Sequence, residues 1–568
     1  MNPNQPQPQL LTDPGPFRRL LLQAAGWSVV INLLALVQPI FMLHVYDSVL
    51  SSQSRSTLAY LVVIALFLIG ISGVLSHLRA KLMMDAAHTV DGQARDRVML
   101  GALAETLRTG RNVHSRFSGD LDTIRNFFSG GASLALMDLP WTPIFLIALL
   151  LISPPIALLV AVFGGLVFAA AVISDKAVRP WLEQASERLG VASRTASNIV
   201  IAADAVRAMG FAGNARRKWA SETLEAAALQ RRASERINAS SESVKSLRIV
   251  LQVLVLAGAA LLVLQGELTP GAMIACSIIG ARALQPLDQV SNGWRQVVLS
   301  RLAWRKLALA AFEADRNTRP RTSLPPPQGG VSLTDVSVLS LGRPEPLLKR
   351  VTLDIPPGAF VGVIGPSGSG KSTVLRVIAG ATPPAAGSVA FDGADANLWG
   401  LDALGAYVGY FPQSPALVAG TVAENIRRLG ARDDEGVIAA AKFAGAHDMI
   451  LSLAKGYDTE VGDGGNALSG GQRARVALAR ACYGDPVLYV LDEPFAHLDN
   501  EGERALWTML RSLRQKRRTV LLATHRPSHL KGFDLAAVMN EGRLMRFGPA
   551  NDIMQALAGP PVPASANA

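Results

Sequence analysis

What most restricts the fold of this chain is a series of apolar runs, each as long as a bilayer is thick, joined alternately by very short and very long polar connections. A helix needs about 20 apolar residues to cross the hydrocarbon core. Runs of that kind lie at 21–46, 57–78, 134–152, 155–174 and 248–266, and a more polar one at 271–291 holds Arg282, Gln285 and Asp288. Only Asp47 to Ser56 separates the first two, Ser153-Pro154-Pro155 the next two, and Gly266-Glu267-Leu268-Thr269-Pro270 the last two. The other two connections are long, polar and helix-forming in composition. Charge orients the set. The short loops contain Arg55 and otherwise no Lys or Arg, whereas the long segments carry Arg79, Lys81, Arg95, Arg97, Arg108 and Arg111, and Arg216, Arg217, Lys218, Arg231 and Arg232. Basic residues collect on the cytoplasmic side, so the long segments and both chain ends are expected inside. Helices that run far past the membrane transmit mechanical work, which suits an exporter better than a channel.

Composition agrees. Charged residues make up 17% of the 568 and mean hydropathy is +0.27, against about a quarter charged in soluble domains. The net charge of +11 is read as the cytoplasmic excess of a membrane protein, and no nucleic-acid partner is expected. Cys276 and Cys482 stand far apart with no metal-ligand spacing, so no disulfide framework is implied. Arg18-Arg19 ahead of the first run mimic a signal peptide, but the run reaches about Val45 with no small-residue cleavage site after it, and it is read as a span. The expected organisation is a disordered Pro- and Gln-rich tail (1–16), a six-helix transmembrane domain with long cytoplasmic helix extensions (17–315), a linker containing Pro325-Pro326-Pro327 (316–330), an α/β domain (331–557) and a disordered tail (558–568).

The α/β domain carries the chemistry. Gly365-Pro366-Ser367-Gly368-Ser369-Gly370-Lys371-Ser372-Thr373 follows a strand-like run, Phe360 to Ile364, and precedes a helical pattern. That is the setting of a phosphate loop. Its glycines let backbone N–H groups wrap phosphates at a helix N-terminus, Lys371 supplies a point charge to the β- and γ-phosphates, and the Ser372 hydroxyl ligates Mg²⁺. Farther on, Val487 to Leu491 reads as a buried strand ending in Asp492 and Glu493. Asp492 is expected to hold the Mg²⁺ shell, and Glu493 to act as general base toward the attacking water.

Leu468-Ser469-Gly470-Gly471-Gln472 resembles the signature of ABC ATPases. The resemblance implies that Ser469 and the glycine amides meet the γ-phosphate of ATP held by the opposite subunit, so that the chain works as a homodimer. Gln413 matches the family's Q-loop, which links nucleotide to membrane domain and adds a metal ligand. His525 matches the switch histidine, and Asp499 the D-loop aspartate. Two positions depart from the pattern. No adenine-stacking aromatic occurs in Val336–Leu341, and Ala496-His497-Leu498-Asp499 replaces the more usual Ser-Asn-Leu-Asp.

Outside the ATPase, Asn32-Leu33-Leu34-Ala35-Leu36, Val45 to Leu50, Asp138-Leu139-Pro140-Trp141-Thr142-Pro143, Ala208-Met209-Gly210-Phe211 and Arg282 to Pro286 are similar to the type I secretion permease/ATPases, in the PrtD-like protease-exporter branch. Gly456 to Thr459 and Cys482 to Pro486 point the same way, and Ser48 stands where an Arg is expected. The fold class implied is an ABC-exporter transmembrane domain of six helices fused to an α/β P-loop nucleotide-binding domain. The activity implied is ATP-driven export of an unfolded protein with a C-terminal signal across a bacterial inner membrane, alongside a periplasmic membrane-fusion adaptor and an outer-membrane channel. No peptidase-like segment precedes the first span, so leader cleavage is not expected. Arg282 and Asp288 are candidates for the translocation path. An exporter of lipids, peptides or small molecules is the alternative.

Overall fold

The connections between the apolar runs are rich in Ala, Leu, Glu and Arg, which favour helix as strongly as the spans do, so the spans continue through them. The computed structural model describes residues 10–109, 114–318, 324–339, 345–399 and 401–558. The rest of the expected tails (1–9 and 559–568), part of the linker (319–323), Arg111 and Ser340 lie outside the described residues. The chain divides into two units. One comprises residues up to Leu103 with Asn112–Glu313, the other Ala104–Arg111 with Ala314 onward.

The first unit is helical. Helix α1 (Pro14–Leu34) starts where the Asp13 side chain accepts from Gly15 N, and α2 (Val37–His44) runs into a π-helical turn at Val45–Val49. Then come α3 (Arg55–Thr109), α4 (His114–Phe128), α5 (Gly131–Asp138), α6 (Thr142–Ile152), α7 (Pro154–Ile201), α8 (Ala212–Leu264) and α9 (Pro270–Thr318). At 1.5 Å per residue the 55 residues of α3 extend about 80 Å, more than twice the hydrocarbon thickness. The breaks are local. Ser153 is extended (φ −155°) with Pro154 at the first position of α7, where its missing N–H costs nothing. Gly266 turns at φ +76° before Pro270 starts α9.

By length and composition, the helical stretches Pro14–Ser52, Arg55–Leu107, Gly131–Ile152 and Ala212–Leu264 can cross a membrane, and Pro154–Ala170 is a shorter apolar stretch. Leu66, Phe67, Leu254 and Leu264 are exposed on α3 and α8, a cost in water that lipid removes. Inside, Phe145, Leu149, Val160, Leu251, Val255, Cys276 and Ile279 share one core. Charge is also buried here. Arg79 donates to Asp138 at 2.5 Å and to Ser28 Oγ at 2.9 Å, and Asn32 Nδ2 donates to Asp138 at 3.0 Å. One ion pair thereby ties α3 to α5 and, through Ser28 and Asn32, to α1. The first short loop is held to the third: Asp47 accepts from Gly271 N at 2.8 Å and from Thr269 Oγ1 at 2.5 Å.

The tail expected to be disordered over 1–16 is packed from residue 10. Leu10 and Leu11 are buried in the cluster that includes Ala86, Val90 and Ala94 of α3, and Leu10 O accepts from Arg97 at 2.9 Å. Two adjacent leucines behind a polar tract supply enough apolar surface to anchor it.

In the second unit, strands β1 (Val331–Val338), β2 (Leu348–Ile355), β3 (Phe360–Ile364), β4 (Ala386–Phe391), β5 (Ala394–Asp395), β6 (Val408–Phe411), β7 (Leu488–Asp492), β8 (Thr519–Ala523), β9 (Leu535–Asn540) and β10 (Arg543–Pro549) make two sheets. One is antiparallel in the order β2-β1-β4-β5. The other runs β10-β9-β3-β8-β7-β6, parallel from β9 to β6. Strands β3, β7 and β8 are buried along their whole length. Alternate residues feed two cores: Val361, Val363, Val490 and Leu521 on one face, Ile364, Tyr489, Leu491 and Leu522 on the other. Cys482 lies in the second of these, its thiol 3.4 Å from Met509 Sδ and pushed up by burial to about 12. Because β3, β7 and β8 are parallel neighbours, the loops leaving their C-terminal ends emerge together, where open α/β sheets place ligands.

Candidate active site

The loop after β3 leads into α10 (Lys371–Ile378), and its glycines are required by shape. A Cβ on Gly365 (φ +154°) would lie 2.2 Å from Met539 O, and Gly370 takes φ +101° as it opens the helix. Gly365→Ala is therefore expected to weaken nucleotide binding about tenfold or more and to lower the thermal midpoint, measured by titration of a fluorescent ATP analogue and by melting. Unchanged affinity would show that the loop can rearrange.

Lys371 is 4% exposed, and its ammonium folds back on its own loop, donating to Gly365 O at 2.9 Å and Pro366 O at 3.0 Å. Burial pulls its pKa below the ordinary lysine value, against the opposing pull of Glu493 and Asp492. The Ser372 hydroxyl donates to Asp492 at 3.0 Å. Asp492 is buried, and that burial pushes its carboxyl up, with the Ser372 hydrogen bond working the other way. Ser369 Oγ is buried with no hydrogen-bond partner among the described residues. An unsatisfied hydroxyl, a buried ammonium folded back on the carbonyls of its own loop and a hydroxyl beside a buried carboxylate fit a polyphosphate with a divalent cation, which would neutralise both charges.

Glu493 follows β7 in the left-handed region at φ +51°, a conformation that costs a non-glycine residue about 1–2 kcal/mol and turns its carboxylate across the sheet edge. One of its oxygens is 2.5 Å from His525 Nε2 and the other 3.5 Å from Gln413 Nε2. His525 Nδ1 stands 3.5 Å from Lys371 Nζ. Lys371, Ser372, Gln413, Asp492, Glu493 and His525, which the sequence motifs select, thus form one connected cluster.

The signature and D-loop residues lie outside that cluster's hydrogen bonds. Ser469 caps α12 (Gly470–Cys482), which packs on α11 (Asp434–Phe443), in a reciprocal box: its hydroxyl accepts from Gln472 N and its N–H donates to Gln472 Oε1. The exposed amides of the first turn are a ready anion site. Asp499 caps α13 (Asn500–Gln515) and accepts from Arg475 at 2.6 and 2.8 Å, bonds that hold its carboxyl below the usual range. Arg475 escapes sequence reading because nothing sets it apart from Arg473 and Arg480 on the same helix.

In the membrane unit, a cavity of about 840 Å³ has a mixed lining, with Asn32, Gln38, Arg79, Asp138, Arg282 and Gln285 beside apolar residues such as Ile69 and Phe145. Arg282 donates to the amide oxygens of Gln38 and Gln285 at 3.1 and 3.4 Å. Asp288 does not line the cavity; it faces Arg248 at 3.4 Å.

The family description "ABC transporter" matches residues 348–496, and "ABC transporter transmembrane region" matches 24–281. The chain is 39% identical over 534 residues to the type I secretion system ATP-binding protein PrsD of Rhizobium meliloti (strain 1021), covering 93% of this chain and 91% of that protein. It is 28% identical to the leukotoxin export ATP-binding protein LtxB of Aggregatibacter actinomycetemcomitans, over 95% of this chain and 77% of that one. Among solved structures, a bacterial Atm1-family ABC exporter with ATP bound aligns with a TM-score of 0.75 over 96% of this chain and 98% of that chain, at 23% identity, which speaks to fold. The two family matches and the 39% identity to a type I secretion ATP-binding protein over 93% of the chain make it a member of the ABC transporters, in the branch of the type I secretion ATP-binding proteins, with ATP hydrolysis coupled to export.

Proposed function

We propose that the chain is the inner-membrane motor of a type I secretion system, a homodimer that exports an unfolded protein with a C-terminal signal through a periplasmic adaptor and an outer-membrane channel. The observation that carries this reading is the 39% identity to a type I secretion ATP-binding protein across 93% of the chain.

In the proposed mechanism the amides of Gly365–Thr373 and Lys371 bind the ATP phosphates, displacing the Lys371 bonds to its own loop. Ser372, Asp492 and Gln413 would hold Mg²⁺, which when bound neutralises charge developing between the β- and γ-phosphates. Glu493 takes a proton from the attacking water, with its carboxylate held by His525. Ser469, Gly470, Gly471 and Gln472 of the second subunit complete the phosphate cage, and Asp499 sets the end of α13 at that interface. Secretion then follows from closure of the two ATPase domains, transmitted along the helix extensions.

The test is the extracellular proteome of cells carrying the wild-type chain or Glu493→Gln. Loss of one or a few large proteins from the medium supports the reading and identifies the cargo. An unchanged medium with the wild-type gene expressed would overturn protein secretion and redirect the search to small molecules or lipids.

Arg282 carries a second expectation. Among the described residues no carboxylate lies within ion-pair distance of it, so a cation stands on the cavity wall, and charges in spans favour wet interiors. Arg282→Gln is expected to reduce secretion severalfold more than it reduces ATP turnover. Equal losses in both would remove Arg282 from the path.

A further inference from the structure

His497 occupies the position where ABC ATPases more usually carry Asn, two residues before Asp499. The short 3-10 turn Pro494–His497 that follows Glu493 brings its imidazole back to the Q-loop, where His497 Nε2 lies 2.8 Å from Gln413 O. A carbonyl oxygen only accepts, so Nε2 carries the hydrogen. Gln413 is therefore gripped at both ends, its side chain by Glu493 at 3.5 Å and its main chain by His497. The same turn abuts the signature: His497 O is 3.7 Å from the place a Cβ on Gly471 would occupy.

We infer that His497 is a positioning residue that fixes the Q-loop main chain to the turn behind the general base, so that Gln413 and Glu493 keep their mutual geometry while the signature turn rests on the same segment. It rests on the hydrolytic reading of Glu493 given above. The loops after β6 and β7, already linked by the long Gln413–Glu493 contact, gain through His497 a second and shorter tie at the main chain. Binding of ATP depends on the Gly365–Thr373 loop and Lys371, which His497 does not touch. The bond matters for turnover, where a base misplaced by a fraction of an ångström loses rate.

The chemistry of the contact selects the variants. Gln places its amide Nε2 at the same reach from the backbone as the imidazole Nε2 and keeps a donor; Phe keeps the ring volume and removes it. ATP hydrolysis by the purified full-length homodimer in lipid nanodiscs is measured for wild type, H497F, H497Q and E493Q, with the thermal midpoint of each. H497F is expected to lose about tenfold in kcat with KM for ATP within twofold, and H497Q to stay within twofold of wild type in both. Wild-type kcat in H497F overturns the inference, as does a rise in KM that accounts for the whole loss, or an H497Q that falls as far as H497F. E493Q separates the two levels of the argument. If it turns over like wild type, the site reading fails and this role with it; if it is inactive while H497F is normal, the site reading stands and only the role of His497 is overturned.

Discussion

ATP turnover by the purified Glu493→Gln protein is expected to fall by about 10²–10⁴-fold, the range a positioned general base contributes. Gln keeps the size and planarity of the side chain but cannot take a proton from water. The groups proposed to hold phosphate, Lys371 with its loop and Ser372 beside Asp492, are untouched, so ATP affinity should stay within about threefold and the nucleotide-bound state should accumulate. Single-turnover hydrolysis and equilibrium binding on the same preparation check both halves. Turnover within tenfold of wild type would move the base to another residue. Loss of affinity instead of rate would mean that the strained backbone at Glu493, not its carboxylate, is what the site requires.

Arg79→Leu should be the most disruptive single change in the membrane unit. Arg79 and Asp138 have side chains only 9% and 17% exposed and sit 2.5 Å apart. Removing the guanidinium strands a carboxylate that, among the described residues, keeps only the Asn32 amide as a partner. Breaking a buried pair from one side costs about 3–5 kcal/mol, enough to deplete folded protein. Adding Asp138→Asn removes the stranded charge, so the double variant is expected to recover most of the loss. Folded yield and thermal midpoint in detergent for the wild type, both singles and the double form the test. Additive losses would show that the pair is not coupled.

What the sequence discloses and what it conceals divide along chain separation. The phosphate loop is legible because its function is a property of nine consecutive residues, and the helix extensions because composition and charge repeat over tens of residues. Lys371, Asp492 and His525 come together because Asp492 ends β7 while Lys371 and His525 follow β3 and β8, and the three strands are parallel neighbours. The contacts that were hidden join residues far apart with no local mark. Arg79 meets Asp138 across 59 positions and His497 meets Gln413 across 84. In a chain with 55 Lys and Arg, spacing does not say which of them finds a buried carboxylate. Leu10 and Leu11 were masked by their Pro- and Gln-rich surroundings, although a helix 80 residues away offered them a face.

The burial of the two cysteines has a practical outcome for spectroscopy. Cys276 is fully enclosed and Cys482 is 5% exposed. With its thiol pushed up by burial to about 12, Cys482 stays protonated at neutral pH, and the thiolate is the form that alkylates. Maleimide and nitroxide reagents should leave the wild-type chain unlabelled under native conditions. A single cysteine introduced on an exposed position of the signature turn or of a helix extension would then carry the only probe, and distances between the two subunits of the proposed dimer could be followed through the ATP cycle without first rebuilding the core to remove native thiols.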